Sequence, residues 1–117
     1  MNISFTIPGK GVPQPRPKFY RGRIIFDHSP RLVEWKKIVV SKARDAGAYP
    51  TLEKVGVDVV FKRSDKKKWD LDNALKSLLD ALNNVAWKDD SLVTTIRAAK
   101  VESLVDGTIV SIKTLDA

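Results

Sequence analysis

WDLDNALKSLLDALNNVAWKDD, Trp69 to Asp90, is the stretch whose reading decides the fold of this chain. Leu71, Leu75, Leu78, Leu79 and Leu82 recur at i, i+4, i+7, i+8 and i+11, which lays one apolar stripe along an α-helix. At about 100° per residue Asp72, Lys76 and Asn83 fall together on the opposite side, so a carboxylate, an ammonium and an amide share one exposed ridge. Asp70 precedes the helix, where a short acidic side chain can cap it, and Asp89-Asp90 closes the segment behind Trp87.

The surroundings make these acids unusual. Lys66-Lys67-Lys68 lies directly upstream, and the whole chain carries 21 Lys plus Arg against 14 Asp plus Glu, a formal net charge of +7. One reading is structural: Asp70 as N-cap, Asp72 favoured by the positive end of the helix dipole, Asp89 and Asp90 in a polar turn. The other is a hard divalent cation, which takes carboxylate oxygens from separate parts of a chain and sits well beside a phosphate.

Composition narrows the classes. A chain of 117 residues that is 43% apolar fits one compact domain with a real core. No run approaches the roughly 18 apolar residues of a membrane span, and MNISFTIPGK lacks a basic segment followed by a long apolar one. A cytoplasmic location is therefore expected. Cysteine is absent and His28 is the sole histidine, which excludes disulfides, thiolate zinc and imidazole metal sites. Any metal must be held by oxygen. The basic balance points to nucleic acid, and no lysine-rich amphipathic helix with an aromatic face argues for a membrane surface.

Outward from the central stretch, alternation predicts strands over 2–7, 55–61, 92–98 and 108–115. Pro8-Gly9 ends the first, and Asp106-Gly107 is expected to turn a hairpin between the last two. Lys18 to Phe26 reads as a hairpin turning at Arg21-Gly22. A helix follows, capped by Ser29 or Asp27, with Pro30 in its first turn, Leu32, Trp35, Ile38, Val39 and Ala43 facing the core, and Gly47 as its stop. Its Arg31, Lys36, Lys37, Lys42 and Arg44 form a solvated face. Between the first strand and the hairpin, KGVPQPRPKFYRGR presents Lys10, Arg16, Lys18, Arg21 and Arg23, either as a solvated connector or as an arm touching phosphates.

The order strand, hairpin, helix, strand, helix, strand, strand predicts an α+β fold: a single domain with a mixed β-sheet and two helices packed on one face. The uncovered face is left for a partner. If the strands flanking the second helix are neighbours, their acid-bearing ends are expected to meet across roughly 5–10 Å. Three carboxylates converging there would hold Mg²⁺, with water positions left for a nucleophile and phosphate oxygens. Lys76 would pair with Asp72 at i, i+4, or neutralise charge on a scissile phosphate or orient water.

A bare D-x-D is weak evidence, but its context is specific. RSDKKKWDLDNALKSLLDALNN followed by WKDDSLV resembles the RusA-like family of Holliday-junction resolvases: a basic run, D-L-D-N, a lysine four residues beyond the second Asp, a D-A-L helix and a D-D turn before a strand. PGKGVPQPRPKFYRGR is also similar to the proline- and arginine-rich N-terminal segment of many, especially phage-borne, members. The resemblance implies one domain over 1–117 and a small homodimeric, Mg²⁺-dependent, bacterial or phage-encoded endonuclease that nicks four-way DNA junctions in symmetric pairs. Carried over by motif, it implies Asp70, Asp72, Lys76 and Asp90 as catalytic residues, with Asp70, Asp72 and Asp90 on the metal. Asp89 would be a helper or a turn residue. Trp69 departs from the family's basic run and is expected to pack into the core or stack on an opened base.

Cutting two strands symmetrically needs two sites, which a short chain supplies most simply as a C2 dimer with its seam on the uncovered sheet face. Lys10, Arg16, Lys18, Arg21, Lys66, Lys67 and Lys68 would hold DNA phosphates without reading sequence. The rival reading is a non-catalytic nucleic-acid-binding module whose acids serve only as caps and turns; a domain binding an acidic protein ranks behind it.

Overall fold

The computed structural model describes residues 1–13, 18–25 and 29–115. Its elements in chain order are β1 (Asn2–Pro8), β2 (Lys18–Tyr20), β3 (Arg23–Ile25), α1 (Pro30–Asp45), β4 (Val55–Arg63), α2 (Leu71–Leu82), a 3₁₀ turn (Asp90–Leu92), β5 (Val93–Glu102) and β6 (Gly107–Thr114). Four strands form a mixed sheet in the order β1-β6-β4-β5, and β2-β3 is a separate hairpin turning at Arg21-Gly22, both with positive φ. This is the expected α+β architecture.

The core lies on one side of the sheet. Val55, Val57, Val59 and Phe61 of β4, Val110 and Ile112 of β6, and Phe5 and Ile7 of β1 are buried with Trp35, Val39 and Ala43 of α1 and Ala74, Leu78 and Leu82 of α2. In α1 the expected stripe holds except for Ile38, which is exposed. Ser29 sits at its N-cap without a side-chain capping bond, and Gly47 follows its end at φ +103. The opposite sheet face is mostly polar. Ser4 and Ser111 share a hydrogen bond there, Asp58 pairs in register with Arg97, and the larger apolar groups are Val60, Ile109 and Val101.

Two strand expectations change. β6 does not form a hairpin with β5; it runs antiparallel between β1 and β4, with Thr6 opposite Ile109 and Val59 opposite Val110. β5 lies on the other side of β4 and parallel to it, from Val55↔Val93 to Arg63↔Glu102. Sequence polarity explains the exchange. Thr108, Val110 and Ile112 suit a central strand, whereas β5, with Thr94, Thr95, Arg97 and Lys100, tolerates the exposed edge. The link from β5 to β6 crosses the end of β4, tied by Ser103 N–H to the Arg63 carbonyl and by Ser64 N–H to the Asp106 carboxylate at 2.6 Å. Asp106 thus fastens a crossing.

Helix α2 also sits differently from its leucine pattern. Its fully buried face is Ala74, Ser77, Leu78, Ala81 and Leu82, while Leu71, Leu75 and Leu79 are only half-buried. Small side chains let neighbouring main chain come close: Ser77 Oγ donates to the Val12 carbonyl at 2.5 Å. Beside it the buried Gly11 lies flat on the Phe61 ring, where an added Cβ would stand 3.0 Å from Cδ1 and 3.2 Å from Cε1. Gly11→Ala should therefore cost about 1–3 kcal/mol through overpacking. A urea titration would read it as a lower midpoint with an unchanged slope.

Candidate active site

The strand-helix-strand unit β4-α2-β5 positions the acids. Asp70 occupies the N-cap of α2 in extended conformation, yet its side chain makes no capping bond; it accepts the Asn73 amide at 3.3 Å. Asp72 lies in the first turn, exposed, with no hydrogen bond or ion pair to another described residue. Lys76, one turn on, is likewise exposed and makes no ion pair with Asp72. Asn83 leaves the expected ridge, because it is the C-cap of α2 with its side-chain oxygen buried.

The D-D turn divides its two carboxylates. Asp89 caps the 3₁₀ turn: its Oδ2 accepts the Ser91 N–H at 3.0 Å and the Ser91 hydroxyl. Those two bonds, the hydroxyl first, hold its carboxyl below the usual range. Asp90 faces the other way. Its Oδ1 accepts the indole N–H of the buried Trp87 at 2.9 Å, which orients the side chain and leaves the second oxygen available.

One groove between α2 and β5 is lined by Asp72, Leu75, Lys76, Leu79, Asp80, Asp90, Val93 and Ile96, with a volume of about 330 Å³. The half-buried leucines form its apolar wall. Asp72, Lys76 and Asp90 are thus brought to a common surface, but they are spread along it. Asp72 and Asp80 are eight residues apart, ~12 Å along the helix axis. Asp90 precedes the start of β5, and α2 returns from the far end of that strand. Among the described residues no three carboxylates come close enough to hold a metal ion, and Asp70 does not line the groove. The acid-bearing ends do not meet as neighbours because β4 and β5 are parallel, which puts the end of one and the start of the other at opposite ends of the strand pair. The donor chemistry still suits a hard cation: all oxygen, with Asp72 and Asp90 making no ion pair to a described lysine.

The basic residues separate similarly. Lys66, Lys67 and Lys68 are exposed and line a second cavity, with Arg63, Asp65, Trp69, Lys100, Val101 and Glu102. Lys10 is ion-paired to Asp65 at 2.9 Å, and Asp65 also takes both Nε and Nη2 of Arg63, at 3.1 and 2.8 Å. Arg21 is exposed and stacks 5.3 Å from the centre of the Tyr20 ring. Arg16 and the side chain of Lys18 lie outside the described residues. Trp69 is half-buried and packs edge-on against Phe61, as core packing requires. The sequence reading gave Asp80 no role beyond its place in the D-A-L motif, although its i+4 spacing from Lys76 places it on the same face. It also passed over Asp65, Arg63, Lys100 and the orienting role of Trp87, whose partners become visible only in three dimensions.

Residues 8–113 match the family model described as endodeoxyribonuclease RusA. The chain belongs to the RusA endodeoxyribonuclease family. The match spans the proline-rich segment, both helices and all of the acidic groups above, so RusA membership implies a Holliday-junction-resolving endonuclease acting on branched DNA. No curated protein matches the chain significantly. RusA nucleases are generally divalent-metal dependent. Among the described residues no helix is long and apolar enough to cross a membrane.

Asp65 supplies a pH test of the scaffold around this site. The Arg63 and then the Lys10 hydrogen bonds lower its carboxyl from 3.8 to about 2. A depressed carboxyl contributes stability above its unfolded value and loses it as pH falls through the folded one. Asp65→Asn should therefore lower the melting temperature at neutral pH, and the difference from wild type should shrink between pH 3.8 and about 2.

Proposed function

We propose that the chain is a Mg²⁺-dependent, structure-selective endodeoxyribonuclease that resolves four-way or other branched DNA junctions by paired symmetric nicks, working as a homodimer. The observation that carries the reading is that Asp72, Lys76 and Asp90 open onto one groove while Asp89, beside Asp90, is committed to a turn. Carboxylates serving only as caps would behave differently. Asp70 stands at an N-cap without capping through its side chain, and Asp72 engages no described residue.

In this reading Asp70, Asp72 and Asp90 would supply the ligands of the metal, a set that one chain spreads apart and that two copies would have to complete, and the metal would supply charge stabilisation at phosphate oxygens and an activated water. Trp87 holds one oxygen of Asp90, whose side chain lines the groove. Lys76 offers its ammonium to the charge that builds on the scissile phosphate. Lys66, Lys67 and Lys68, with Lys10, Arg16, Lys18 and Arg21 from the N-terminal arm, hold flanking phosphates, and their contribution falls with salt. A homodimer supplies two cutting sites. It also offers a second copy to complete a carboxylate set that one chain spreads along its groove.

The reading is tested by incubating a labelled four-way junction and its linear control with Mg²⁺ and each variant. Asp72→Asn and Asp90→Asn should each slow cleavage by roughly two orders of magnitude or more while junction binding persists. Asp89→Asn should cut at close to the wild-type rate. Unbroken strands with wild-type protein would leave the non-catalytic binding module in place of a nuclease.

A further inference from the structure

The segment that delivers Asp70 and Asp72 is held from outside. From Asp65 to Trp69 the chain has no regular structure, and no main-chain group there bonds to another main-chain group among the described residues. It also carries three consecutive lysines, whose mutual repulsion favours an open, wandering path. Yet α2 must start at a defined place for its first two acids to be useful.

Three side chains restrain the last residue of this segment. The Trp69 ring rests edge-on against the buried Phe61, with centroids 5.6 Å apart and planes at 76°. Arg63 and Lys100 both lie over the ring, 5.1 and 5.4 Å from its centre. Arg63 is itself fixed by its paired bonds to Asp65. Lys100 does more than stack: its ammonium donates to the Trp69 carbonyl at 3.1 Å. That carbonyl belongs to the peptide bond joining Trp69 to Asp70.

We propose that Lys100 is a positioning residue of this nuclease, acting through the Trp69 carbonyl to set where α2 begins and hence where Asp70 and Asp72 point. The proposal rests on the nuclease reading above. Lys100 is well placed for the task. It projects from β5, whose pairing with β4 is the most extensive parallel contact of the fold, so it lends the loop the rigidity of the sheet. Seven residues of β5, ~23 Å of extended chain, separate Val93 from Lys100. One strand therefore carries Asp90 before its start and the latch on the other two acids toward its end. The competing role for an exposed lysine is a direct phosphate contact, which would act on affinity rather than on the rate of the bound complex.

The test is Lys100→Met, which keeps the aliphatic stem and removes the donor and the charge, compared with Lys100→Arg. On a four-way junction with Mg²⁺, Lys100→Met should lower kcat roughly tenfold, since small misplacements of reacting groups are costly. Its junction Kd and the salt dependence of that Kd should remain those of wild type, and Lys100→Arg should restore most of the rate. Independently of cleavage, amide hydrogen exchange should quicken over residues 69–74 in Lys100→Met and stay unchanged in β4 and β6. An unchanged kcat overturns the proposal, as does a weaker Kd with a salt slope reduced by about one, which would make Lys100 a phosphate contact. If wild-type protein leaves junctions intact, the nuclease reading fails by itself. Unchanged exchange over 69–74 would then overturn the positioning role separately.

Discussion

Parallel pairing of β4 with β5 governs the rest of this molecule. Two parallel neighbours cannot be joined by a tight turn, so the chain must travel back along the sheet, and α2 is that return. Three consequences follow from this one geometry. β5 becomes an edge, β6 is drawn into the centre, and a groove opens along the seam of α2 and β5. Asp72 and Asp90 take their places along that groove because one opens the returning helix and the other follows its end.

How α2 docks decides what the groove is made of. Its buried face sets the small Ala74, Ser77 and Ala81 beside Leu78 and Leu82, and Ser77 bonds the main chain at Val12. The helix is thereby rolled so that Leu75 and Leu79 face the groove with Val93 and Ile96. Packing in the core thus decides which apolar side chains stand beside Asp72 and Asp90 in the groove.

The chain's positive charge is likewise organised rather than diffuse. Asp65 gathers Lys10 and Arg63, Arg63 covers Trp69, and Lys100 covers the same ring while holding its carbonyl. This network joins the N-terminal segment, the end of β4, the loop before α2 and the edge strand. Lys66, Lys67 and Lys68 stay outside it and exposed, which suits them to a phosphate backbone. Within one short loop, then, some cations build the scaffold and others face the solvent.

Much of this was legible in the residues alone. Strand alternation, the 3.6-residue period of both helices, Gly47 as a stop and the Arg21-Gly22 turn are local properties, and each reflects a steric preference that acts within a few residues. The D-L-D-N motif with its lysine and the D-D turn also marked the candidate site, since side-chain chemistry travels with sequence. Other features depended on contacts between distant segments. Whether β6 pairs with β5 or β1 and how far apart the acids lie along the groove were settled by strand order and helix roll. A linear pattern reports which faces are apolar; only the assembled sheet determines what each face meets, because burial and hydrogen bonding are shared among segments far apart in the chain.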